Sequence, residues 1–157
     1  MRQNPLGEHP VRRAGSVILF AVLIVVLVPI GTYVWVHHSN NAAAQQLEAR
    51  LQQLQLPPQT ELVDSAWAAQ RLAGAGNGMQ YAGALLIRSR LDLADLEEFY
   101  AEGDGDQHVT ATTDERLGRT AILFSAEHDL DQPDLFMVVS MDEPAPESLL
   151  QSDLRGH

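Results

Sequence analysis

The hydrophobic pattern divides the chain sharply. From Val17 to Val36 it reads VILFAVLIVVLVPIGTYVWV, 20 residues without a charge. As a helix this stretch spans roughly 30 Å, the thickness of a bilayer's hydrocarbon core. A core helix of a small soluble domain keeps a polar stripe, and this one has none. Next comes Asn40 to Leu56, NNAAAQQLEARLQQLQL, rich in good helix formers. Leu47, Leu51 and Leu54 recur there at i, i+4 and i+7, a single apolar stripe that ends at Pro57-Pro58.

Beyond the prolines the period changes. Thr60 to Leu72 alternates Val63, Ser65, Trp67 and Ala69, which suits a strand with one apolar face. An Asn77-Gly78 turn signal follows. Met79 to Ser89 is apolar on both faces and predicts a central, doubly covered strand. Leu91 to Ala101 predicts a helix. Asp92 is its N-cap, Asp95 sits at N3, Leu91 and Leu96 form a hydrophobic staple, and Leu93, Leu96, Phe99 and Tyr100 make the buried stripe before Gly103. Three further runs predict strands: His108–Asp114 alternates Val109, Ala111 and Thr113, while Thr120–Glu127 and Leu135–Met141 carry apolar residues at both odd and even positions.

The order ββαβββ implies an α+β fold: an N-terminal transmembrane helix and short helical stalk, then a small, mostly antiparallel sheet with one packing helix. The expected divisions are a cytoplasmic N-terminus (1–13), a transmembrane helix (14–38), a helical stalk and Pro spacer (39–58), an extracytoplasmic α+β domain (59–142) and a flexible tail (143–157).

Charge sets the expected orientation. Arg2, Arg12 and Arg13 precede the apolar run against Glu8 alone, and positive flanks stay cytoplasmic. Residues 37–157 carry 7 Arg and 20 Asp+Glu, a net charge of −13. Such an acidic surface excludes phosphate-backbone binding as the main activity. With no Cys there is no disulfide framework, cysteine zinc site or thiol nucleophile. All 10 basic residues are Arg, which fits a G+C-rich bacterial genome. A cleaved signal peptide is the rival reading, with Ala42-Ala43-Ala44 as the cleavage site. The apolar run exceeds the usual 7–15 residues of such a leader, so an uncleaved signal anchor in the plasma membrane is expected.

The stretch GAGNGMQYAGALLIRS followed by DLADLEEFY, residues 74–89 and 92–100, resembles a pattern in a family of small single-pass membrane-anchored bacterial envelope proteins of uncharacterised activity. The resemblance implies location and fold.

Candidate chemistry is sparse. Gly74, Gly76 and Gly78 lack the GxGxxG spacing of a nucleotide loop. An Asp104, Asp106, Glu115 calcium loop would place Val109 where glycine is required. The acidic run Glu127-Asp134 offers weak Ca²⁺ or Mg²⁺ ligands, but reads first as a solvated loop. His108 and His128, with Glu127, make a conceivable metal set. The His37-His38 pair sits at the outer membrane face. No serine lies in a GxSxG elbow. The expectation is a membrane-anchored binding or interaction protein with no assigned catalytic, cofactor or metal residue. It would hold the bilayer through Val17–Val36, meet an envelope protein partner, and self-associate weakly through Leu47, Leu51 and Leu54. An extracytoplasmic small-ligand sensor or envelope enzyme is the alternative.

Overall fold

The computed structural model describes residues 10–72, 78–102, 107–114 and 119–143, with side chains from Val17 onward. The chain divides into two compact units, Met1–His37 and His38–His157.

The first unit is the leading part of helix α1 (Pro10–Gln52). Every residue from Val17 to Trp35 is exposed. The helix is long and apolar enough to cross a membrane. Pro29 lies inside the helix without ending it. Proline there removes one backbone donor, and nearby the Thr32 hydroxyl donates to the Val28 carbonyl at 2.9 Å. Tyr33 and His37, one turn apart, stack with ring centroids 6.4 Å apart.

The second unit is an α+β fold. Among the described residues it holds β1 (Thr60–Ala69), β2 (Tyr81–Ser89), α2 (Leu93–Ala101), β3 (Gln107–Ala111), α3 (Ile122–Ser125) and β4 (Leu135–Asp142). The four strands form one sheet in the order β1-β2-β4-β3. Every neighbouring pair is antiparallel. Strands β2 and β3 therefore run the same way, with β4 inserted between them and α2 as their connection. β2 is buried from Tyr81 to Ile87, the doubly covered centre its composition predicts.

Leu51, Leu85, Ile87, Leu96, Tyr100, Val109, Phe136 and Val138 form the core on one sheet face. Ala84, Leu86, Phe124, Leu135, Met137 and Val139 form it on the other. The α2 start is built as its sequence implies: the Asp92 carboxylate accepts from the Asp95 backbone N–H at 2.9 Å. Its C-cap is Glu102; the expected stop at Gly103 lies outside the described residues.

The structure corrects two expectations. The first is the stalk. Residues 38–52 are helical but not a free spacer, because Ala43, Ala44 and Leu47 pack with Trp67, Ala69 and Tyr81, while Leu51 and Leu54 join the main core. Leu51 is 1% exposed and Leu47 and Leu54 are half-buried, so part of the leucine stripe packs on the chain's own sheet. Gly83 permits this: a Cβ there would press on the Glu48 backbone nitrogen and lie 2.7 Å from the Leu47 carbonyl carbon.

The second correction is Thr120–Glu127, which is no strand. It forms a short helical turn with Phe124 buried and Ile122 60% exposed. Four apolar residues in a row satisfy either period. The helical form turns Ala121, Leu123 and Phe124 together onto the open sheet face.

The strands expected to flank the Asn77-Gly78 hairpin signal do pair antiparallel, as β1 and β2. Their pairing runs to Ala69↔Tyr81, and beyond it the Gln70 N–H donates to the Gln80 carbonyl at 3.0 Å. Residues 73–77 themselves lie outside the described set.

Candidate functional site

Strand β1 carries a bulge between Leu62 and Asp64, where the register against β2 slips by one residue. Leu62 faces Ile87, whereas Asp64 faces Leu86, so Asp64 shares the face that Leu86 lines. Simple alternation would have sent it to the opposite face. Val63 packs on that same face, while Trp67 and Ala69 pack on the other. The single apolar face read from Val63, Ser65, Trp67 and Ala69 is thus split by the bulge.

The segment after α3 comes to meet Asp64. The backbone N–H groups of Glu127 and His128 both donate to the Phe124 carbonyl, at 3.1 and 2.9 Å. That tightens the helix end and fixes both residues. The His128 ring stands edge-on to Phe124, with centroids 6.3 Å apart. Its Nε2 lies 2.8 Å from Asp64 Oδ2. The other Asp64 oxygen, Oδ1, accepts from the Ser65 backbone N–H at 2.8 Å. Both side chains are partly buried, at 27% and 36% exposure. Glu127 completes the group, with a ligating atom from each of the three residues within 4.8 Å of the others.

A second polar cluster lies at the far end of β2. Arg88 Nη1 pairs with Glu61 Oε1 at 3.1 Å and Nε with Asp134 Oδ2 at 3.2 Å. Its Nη2 donates to Gln132 Oε1 at 3.3 Å. The cleft beside it, about 520 Å³, is walled by Thr60, Glu61, Ser89 and Arg90 and has no apolar side chain in its lining. On the opposite face the Ser65 hydroxyl donates to Glu48 Oε1 at 2.6 Å and accepts from Gln52 Nε2 at 2.6 Å. This serine neighbours a carboxylate and an amide, with no histidine base among its hydrogen-bond partners.

Two tyrosines are perturbed by burial. Tyr81 donates to Asn40 Oδ1 at 2.8 Å, and desolvation, then the nearby Asp142 charge, raises its pKa. Desolvation alone pushes Tyr100 up to about 12. Its hydroxyl is buried without a hydrogen-bond partner.

The histidine expectation is half met. His128 and Glu127 come together, but their partner is Asp64. His108 lies on β3, at the other edge of the sheet from β1. Three strand spacings, about 14 Å, separate those edges. The acids of Glu127–Asp134 do not converge as a hard-cation site requires. Asp134 engages Arg88, and Asp129 Oδ1 accepts from the Asp131 N–H at 3.2 Å. Only Glu127 turns toward Asp64. The proposed Asp104, Asp106, Glu115 loop lies outside the described residues. Asp64 is the residue that sequence reasoning missed. A lone acid interrupting an apolar alternation was the available signal, since burying a charge requires a partner.

Comparisons with known protein families, with curated proteins and with solved structures found no match to this chain.

Proposed function

We propose that this is an uncleaved, single-pass plasma-membrane protein with its N-terminus in the cytoplasm. Its α+β unit is displayed outside the membrane as a binding domain for another envelope protein. The observation that carries the anchor reading is the burial of the would-be cleavage site. Ala44 is 0% exposed and packs with Tyr81, and Asn40 accepts the buried Tyr81 hydrogen bond. Cutting at Ala42-Ala43-Ala44 would sever a helix that forms part of the domain core. Positive-inside charge supports the orientation, from Arg2, Arg12 and Arg13. A binding role fits a sheet whose two faces are filled by the domain's own side chains. A small-molecule site is usually a concave, mostly apolar pocket.

Two measurements test the proposal. Mass spectrometry of the membrane fraction should find the intact chain, and protease added to spheroplasts should remove the α+β unit. A soluble product lacking residues 1–44 would overturn the anchor reading. For the binding role, a photo-cross-linking residue at exposed Ile122 should trap one envelope protein. Lysine-directed reagents do not suit a chain without Lys. Saturable turnover of an envelope substrate by the purified protein would overturn the binding role.

A further inference from the structure

We propose that Asp64, Glu127 and His128 form a binding site for one divalent transition-metal ion, with Zn²⁺ the best match. The three donors come from two places in the chain, 64 residues apart at the Asp64–His128 contact. Each is positioned by its own backbone. The bulge sends Asp64 to the shared face, and the Phe124 carbonyl, accepting two N–H groups, fixes Glu127 and His128. One imidazole nitrogen and two carboxylates make a borderline donor set. Zn²⁺ takes such a set tetrahedrally, and carboxylate-rich Ca²⁺ sites need six or more oxygens. Three protein ligands leave the fourth position to water or to a partner's side chain.

The distances fit. Bonds of about 2.0–2.1 Å at tetrahedral angles hold zinc ligands about 3.3 Å apart. The Asp64–His128 contact at 2.8 Å opens by about half an ångström to admit the ion. The exposed Glu127 closes from within 4.8 Å by about 1.5 Å at most. The supporting layer is already present, because the Ser65 N–H holds Asp64 Oδ1 and leaves Oδ2 for the metal. A bound ion would clip α3 to the edge strand β1. The site stands independently of the membrane topology proposed above.

Zn²⁺ and Co²⁺ titrations of the full-length protein in detergent or nanodiscs test it. One equivalent of Zn²⁺ should bind saturably, and Co²⁺ should give the intense visible absorption of a tetrahedral centre. Glu127 is exposed, so Glu127→Gln should fold normally and lose at least tenfold in affinity. His128→Ala should lose the cobalt spectrum. His108→Ala and the double change His37→Ala, His38→Ala should bind as the parent does. No saturable binding would overturn the site. So would unchanged affinity in Glu127→Gln, or loss of binding only in the His37, His38 variant, which would move the ion to the membrane face.

Discussion

On one face of the sheet, the end of α1 and the whole of α2 lay Leu51, Leu54, Leu96 and Tyr100 over Leu85, Ile87, Phe136 and Val138. On the other, a single four-residue helix lays Phe124 over Ala84, Leu86 and Met137. The first cover is fitted at the level of backbone, since α1 touches β2 at Gly83. Among the described residues the second rests on buried Phe124, with half-buried Ala121, Leu123 and Leu130 beside it, and on one side-chain pair, His128 with Asp64. Long helices average many small contacts, and no single side chain decides their position. A one-turn cover has no such reserve. Polar contacts and, as proposed, a metal ion would hold it there.

That contrast can be broken first at Gly83. Gly83→Ala pushes a methyl into backbone that cannot swing aside, and should destabilise the domain by about 3 kcal/mol or more. A thermal or urea melt of the detergent-solubilised protein would register it as a global shift. If the melt were unchanged, α1 would not be clamped there.

Phe124→Ala should cost about 3 kcal/mol, at the low end for a buried aromatic because a short segment relaxes easily. Hydrogen exchange should show the loss concentrated in residues 119–130 and in β1. Uniform deprotection of both faces would erase the distinction drawn between them.

Tyr100→Phe removes the unpartnered hydroxyl from the helix-clasped face and should raise stability by about 1 kcal/mol. The pH dependence has a definite sign. Tyr100 is raised from 10.0 to about 12 in the folded chain, so the unfolded chain loses this proton first. Its contribution is intact below pH 10 and is lost as pH rises toward 12, and the Phe variant should lack that component. In the folded chain the phenolate absorbance of this tyrosine should appear only near pH 12, well above that of an unfolded tyrosine.

The smallest effect is expected at the metal-free polar pair. Asp64→Asn should cost under about 1 kcal/mol, since both partners are partly solvated. A much larger loss would mean that the second face is held mainly by this pair and not by Phe124.

Where local chemistry decides, the sequence was readable. The Asp92–Asp95 cap and the apolar runs of β2 and β4 each follow from neighbouring residues and each formed where expected. The leucine stripe of residues 47–54 was recognisable as a stripe, but its partner was not. Nothing in two heptads distinguishes a second copy from the chain's own sheet. The run AILF, residues 121–124, was ambiguous because so short a segment takes its conformation from the surface it must cover. The Asp64–His128 pairing was hidden for a different reason. It needs a one-residue register slip and a contact across 64 residues, and neither leaves a periodic trace.

The place of β4 has a consequence for biosynthesis. Strand β4 is the latest of the described strands to be made, yet both β2 and β3 pair with it. A nascent chain paused before Leu135 holds a β1–β2 ribbon whose β2 lacks its second neighbour, and a β3 with no neighbour. Under the topology proposed above, the apolar helix would enter the membrane long before that. On that topology, insertion and the closing of the sheet are separated in time, and for that interval the open edge of β2 needs shielding from other newly made chains.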